Sequence, residues 1–184
     1  MAPHPDPRRR SHSVGSWVIA ALCLTLPTCD IAATGPDGDS CTDSMGQQVL
    51  DLVNQHRSDA GLPELIVDAR IVDAARRHSR DMAEHDTFSH TGTDGSTPSV
   101  RVRESGYDWN YVAENIAAGQ TSPAGVVAAW MDSPPHRANI LSTRAAHAGI
   151  GYVQASSTTY GHYWTLDFGA SDAAPATPRG GCHP

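Results

Sequence analysis

The side chains most able to do chemistry in this 184-residue chain are its ten histidines, set among scattered carboxylates and serines. Imidazole titrates near neutral pH and binds divalent metals, so histidine spacing is the first pattern to read. His85 and His90 stand five residues apart, and no His-Glu-x-x-His motif occurs. There is no Gly-x-Ser-x-Gly elbow either. Ser133 precedes His136 by three residues, a spacing that admits a nucleophile–base pair. Pro134 and Pro135 separate the two, however, and no third member is evident. His56 and His78 fall on apolar helical stripes and read as core histidines with satisfied hydrogen bonds, not as ligands. Tyr107, Trp109 and Tyr111 read either as a cover for the core or as an edge for a sugar or lipid. Arg137 is expected to pair with a nearby acid.

The elements that must position these groups follow from periodicity and punctuation. A helix is expected after a cap at Asp43 or Ser44, with Val49, Leu52, Val53 and His56 on one face and a stop at Gly61 and Pro63. A second runs from an N-cap at Asp68 to about His85, burying Ile71, Ala75, His78 and Met82 and turning Arg76, Arg77, Arg80 and Asp81 to water. Residues 91–97 form a turn-rich loop, and Pro98 opens a short helix that ends at Gly106. The segment from Tyr107 to Gly119 reads as a strand or an irregular loop. Pro123 opens a further helix with Val127, Trp130 and Met131 inward, and Pro134-Pro135 ends it. Two strands follow, His147 to Gln154 and Tyr160 to Phe168. Separate helical and paired-strand runs predict an α+β fold with an antiparallel sheet.

Composition narrows the function classes. An apolar fraction of 39% supports a core, and a charged fraction of 18% is too low for a disordered chain. Thirteen basic against twenty acidic residues argue against a nucleic-acid partner. Residues 1–33 read as a signal peptide: the Arg8-Arg9-Arg10 cluster precedes an apolar run from Val14 to Leu26, short for a membrane span. Two exits are open, cleavage after Ala33 or lipoprotein processing at Cys29; an uncleaved anchor is the third reading. Without the signal the chain carries a formal charge of −8, from ten basic and eighteen acidic residues. Residues 34–44 form a polar linker, residues 45–172 the domain, and residues 173–184 an extended tail holding Cys182. Cys41 and Cys182 are then the even remainder, and export predicts a disulfide between them, against the alternative of two free thiols. A loop that long contributes at most about 5 kcal/mol.

Several strings, taken in order, resemble the bacterial branch of the CAP superfamily (SCP/PR-1-like domains). They are Asn54-Gln55-His56-Arg57, Ala74-Ala75-Arg76-Arg77-His78-Ser79, Phe88-Ser89-His90 and Ala113-Glu114-Asn115-Ile116-Ala117. After these come Ser133-Pro134-Pro135-His136-Arg137-Ala138-Asn139-Ile140-Leu141, Gly149-Ile150-Gly151-Tyr152 and Tyr163-Trp164-Thr165. The resemblance covers nearly everything after the linker. It implies an α–β–α sandwich, with a small antiparallel sheet between helical layers and a long surface cleft.

In CAP proteins that cleft is commonly lined by two His and two Glu able to hold a divalent metal. By position the resemblance makes His90, Glu114 and His136 three of the four, and places Ser133 where the second Glu would stand. It thereby implies a metal site of His90, Glu114 and His136, with zinc or another divalent cation as the cofactor. Glu114 and His136 are also the candidate catalytic residues. Two imidazoles and a carboxylate suffice as a first shell for zinc with one open position. Without metal, the trio is either an acid–base set or a hydrogen-bonded cluster that only fixes loops. The expected function is an exported, monomeric binding module for a small-molecule, lipid or cell-envelope ligand. The alternative is a metal-dependent hydrolase of envelope or secreted peptide substrates.

Overall fold

Asp68 begins a strongly amphipathic helix. Its carboxylate accepts from the Arg70 N–H, and helix α2 (Ala69–Glu84) follows from that cap. The computed structural model describes residues 44–176. Ahead of α2 lie helix α1 (Ser44–Asp59) and a two-residue strand β1 (Ile66–Val67). Behind it come α3 (Pro98–Glu104), β2 (Tyr111–Ala118), α4 (Pro123–Asp132), α5 (Pro134–Ile140), β3 (His147–Gln154) and β4 (His162–Ala170). The expected signal peptide, most of the linker, the end of the tail and the Cys29, Cys41 and Cys182 assignments lie outside the described residues.

The sheet runs β1-β3-β4-β2 and carries helices on both faces, the expected α–β–α sandwich. It differs from the expectation in being mixed. β2, β3 and β4 are antiparallel, but β1 joins β3 in parallel, Ile66 opposite His147. A parallel pair of two residues leaves no periodicity to read in a sequence.

One face of the sheet is dry. Ala148 and Ile150 of β3, Trp164, Leu166 and Phe168 of β4, and Ala117 of β2 pack against Val49, Leu50 and Val53 of α1 and Val126, Val127 and Trp130 of α4. The other face lies under α2 at close range. A side chain at Gly149 would collide with the backbone of Ile71 and Val72, and one at Gly151 with that of Ala75 and Arg76. The Gly-Ile-Gly string thus has a packing reason: α2 rests on β3 with no space for a Cβ.

Three local expectations are corrected. His56 is only partly buried, and Arg57 is the buried residue of that turn. The Arg57 guanidinium donates to the carbonyls of Pro63, Ile140, Ser142 and Ala145, so a long basic side chain closes the gap between α1 and the chain after α5. Pro134-Pro135 does end α4, but it also starts α5, because proline is preorganised for the first turn of a helix. Arg137 donates to the Met131 carbonyl instead of pairing with an acid.

Candidate functional site

Glu114 sits mid-strand in β2, directly opposite Asp167 of β4, which in turn lies opposite Gly149 of β3. Strand alternation therefore turns Glu114 toward α2 and α3 and turns its neighbour Asn115 to the α5 side. Both side chains are buried among polar partners, which is how a sheet interior tolerates them.

The Glu114 carboxylate is fully engaged. One oxygen accepts from His90 Nδ1 at 2.7 Å, and the other from Arg101 Nη2 at 2.6 Å. The Glu114 and Arg101 side chains are each 2% exposed, whereas that of His90 is 54% exposed. Burial alone would raise the Glu114 pKa; the hydrogen bond from His90 and the Arg101 charge outweigh it and hold the carboxyl below its usual range. An ionised acceptor at that distance requires the proton on His90 Nδ1.

Arg101 organises the loop that carries His90. The same Nη2 donates to the His90 carbonyl at 3.1 Å, and Nη1 donates to the Ser96 carbonyl at 2.9 Å. One guanidinium from α3 thus ties the 90–96 loop to the carboxylate that its own histidine contacts. His78, beneath, is fully buried; its Nε2 lies 2.9 Å from the Ser89 carbonyl and 4.0 Å from Glu114 Oε1. Burial lowers its pKa despite the Glu114 charge, so His78 is a neutral, hydrogen-bonded core histidine.

His136 enters from α5. Asn115 Nδ2 donates to the His136 carbonyl at 3.0 Å, and Asn139 Nδ2 donates to Asn115 Oδ1 and to the Glu114 carbonyl. These amides dock α5 onto β2. Burial lowers the His136 pKa, and the nearby His90 adds to the effect, so the two imidazoles share one electrostatic environment. Ser133 joins α4 to α5, and its side chain makes no capping hydrogen bond. His90 bonds Glu114 and shares an electrostatic interaction with His136, which brings these three residues into one region.

A zinc site needs about three protein ligands. Here the second carboxylate position is Ser133, and both Glu114 oxygens are committed to Arg101 and His90. Among the described residues no three His, Cys, Asp or Glu side chains are placed to hold one metal ion. The donor set does not fit a three-ligand metal.

Sequence reading missed Arg101, Asn115, Asn139 and Asp167. Asp167 left a signal: it is the sole charged residue in the apolar run Tyr163–Phe168, at an inward position of the strand alternation. The aromatic run resolves as core cover. Tyr107 is buried with Ile71, Ala74 and Val102, and Arg70, Arg103 and Arg144 lie over the rings of Tyr107, Trp109 and Tyr111.

Comparison with known proteins agrees with this fold. The sequence pattern of the CAP family, the cysteine-rich secretory protein family, matches residues 50–168. The chain is 33% identical over 141 residues to YkwD, an uncharacterized protein of Bacillus subtilis, covering 77% of this chain and 53% of that one. It is similar in fold to an extracellular SCP-domain protein from Bacillus anthracis, at a TM-score of 0.61 and 30% identity over 68% of this chain and 40% of that one. An outer surface protein of Borrelia burgdorferi shares the fold at a TM-score of 0.61 and 24% identity, over 73% of this chain and 98% of that one. The chain spans about half the length of YkwD and less than a third of the membrane protein YlbC of Bacillus subtilis, to which it is 33% identical.

Proposed function

This chain belongs to the CAP (cysteine-rich secretory protein) family, and from that premise we propose that it is an extracytoplasmic, non-catalytic binding module. In this reading His90 and His136 present imidazoles to a small or lipid-like ligand, and Glu114 positions His90 without meeting the ligand. The observation that carries it is the commitment of Glu114: both of its oxygens are bonded and its side chain is 2% exposed. A general base or a metal ligand needs a lone pair that the cleft can reach, and the Glu114 side chain is 2% exposed, with one oxygen on His90 and the other on Arg101. The extracellular and outer-surface relatives support a place outside the cytoplasm, as does the signal-like N-terminus.

The same observation weighs against the metal-dependent hydrolase. A divalent cation held by the two imidazoles alone would take its remaining ligands from water, and would bind weakly. Calorimetric titration of zinc into the purified protein, beside His90→Ala and His136→Ala, tests this. Affinity weaker than micromolar is expected. One-to-one binding at micromolar or tighter, lost in both variants, would restore the metal site and the hydrolase reading with it.

A further inference from the structure

Phe88 and Tyr160 are 47% and 42% exposed, and their ring centroids lie 5.8 Å apart. The ring planes meet at 53°, so the pair forms the two walls of a shallow corner, not a closed stack. Phe88 lies beyond the end of α2, and Tyr160 sits on the turn between β3 and β4. A lone exposed aromatic is ordinary. Two in contact, from segments far apart in the chain, are held there.

Asp86 holds them. Its backbone lies in the left-handed region, at φ 49°, a conformation that Asp adopts more readily than most residues. One carboxylate oxygen accepts from the Thr159 N–H and from the Tyr163 hydroxyl, both at 2.8 Å, and the other accepts from the Thr159 hydroxyl at 2.7 Å. These bonds lock the β3–β4 turn to the segment after α2, next to both rings. Tyr163 also meets the Tyr160 ring edge-on, at 5.9 Å. Asp86, Phe88, Thr159 and Tyr160 are all exposed, so the lock orders a surface. A surface ordered in advance loses little freedom when it binds.

The surroundings select the ligand. Ser89 beside Phe88, and Ser156, Ser157 and Thr159 on the turn, are exposed hydroxyl residues, and residues 155–161 include no charged side chain. With no cation in the turn, and a formal charge of −8 on the chain after its signal-like N-terminus, an anionic ligand is disfavoured. Two rings are a small apolar area for a protein partner or an acyl chain. A neutral, β-linked pyranose chain matches what is left. Each of its sugars has a flat C–H face that lies on an aromatic ring, and a rim of hydroxyls that pair with serine and threonine.

We propose that Phe88 and Tyr160 form a binding platform for a neutral, β-linked sugar chain, with Asp86 as the residue that positions it. Sugar rings stack on the two walls, and the hydroxyls of Ser89 and of the β3–β4 turn bond the sugar's rim. Neither ring takes part in the His90–Glu114–Arg101 bonds, so the platform goes beyond the cleft reading and stands or falls separately from it.

The test titrates chitotetraose and cellotetraose, two neutral β-linked probes, into the purified protein and follows the aromatic ring signals by NMR. Saturable shifts of the Phe88 and Tyr160 rings are expected with at least one of them. Affinity should fall about tenfold in Phe88→Ala and in Tyr160→Ala. Asp86→Ala should weaken binding with both rings still present, and Asp86→Asn, which keeps an acceptor oxygen and tolerates the left-handed backbone, should weaken it less. No ring shift with either sugar, or equal affinity in the parent and both ring variants, would overturn the platform. Ring shifts from dodecylphosphocholine micelles, with none from the sugars, would overturn it in favour of an acyl surface. Should a ring variant fail to fold, the ring signals of the parent still decide.

Discussion

The two faces of one four-stranded sheet have been given different tasks. On the α1–α4 face every inward position of β3 and β4 is apolar or aromatic, and that layer is the larger core. On the α2 face the same strands turn in Gly149, Gly151, Thr165 and Asp167, with Glu114 from β2. The dry face holds the molecule together by burial, which is non-directional and tolerant. The polar face gains little net stability from its hydrogen bonds, but those bonds are directional and allow few alternative arrangements. Glu114 and its partners His90 and Arg101 therefore stand on the face with the directional bonds, while His136 comes from the α5 side.

The comparison can be broken most forcefully from the dry side. Phe168→Ala leaves a cavity in the α1–α4 layer and is expected to cost about 3–5 kcal/mol in a denaturant unfolding curve, with the His90–Glu114 contact unchanged by NMR in the folded protein. A comparable loss, of about 3–5 kcal/mol, is expected for Arg101→Met, because Glu114 is left buried without a counter-charge. Unlike Phe168→Ala, this variant should also release the 90–96 loop, read as faster amide exchange there. Adding Glu114→Gln to Arg101→Met should restore part of the stability and none of the loop order. Gly151→Ala drives a methyl into the α2 backbone and is expected to cost about 1–3 kcal/mol.

Much of this division was legible beforehand, and the reasons are local. The Asp68 cap, the Ile71-Ala75-His78-Met82 stripe and the span of β3 follow from rules that act within a few residues, and they appear as expected. What escaped depends on partners far along the chain. Arg57 reads as a surface residue until four carbonyls converge on it. Pro134-Pro135 reads as a stop because the same residues serve a helix end and a helix start. His90, Glu114 and His136 come together only through the sheet and the amides of Asn115 and Asn139, and family resemblance, not periodicity, joined them. The burial of Glu114 against Arg101 had no sequence signature, since an arginine in a short helix is ordinarily solvated.

Two smaller effects sharpen the contrast. His147, at the β3 end of the polar face, lies 2.6 Å from the Tyr107 hydroxyl. Burial lowers the His147 pKa, countered in part by Asp68, while burial pushes the Tyr107 hydroxyl up to about 12. Tyr107 thus donates and His147 accepts as the neutral ring. A histidine with a depressed folded pKa binds fewer protons than its unfolded form. Its contribution to stability is complete above the unfolded value of about 6.5 and is lost as pH falls through the folded value. The melting temperature should therefore drop on acidification below that point, less steeply in His147→Gln than in the parent; equal slopes would remove His147 from the pH response. The smallest effect is expected at the exposed Arg77–Glu104 pair, where Glu104→Gln should change stability by under about 1 kcal/mol, and less in high salt.

The commitment of Glu114 to Arg101 and His90, and not to a metal, is tested most directly by a high-resolution crystal structure of the protein soaked in zinc. The prediction is that the Glu114 carboxylate keeps both bonds and that any zinc sits on imidazole nitrogen alone. A Glu114 oxygen at a zinc-ligand distance of about 2.0–2.2 Å, with the Arg101 bond broken, would contradict it.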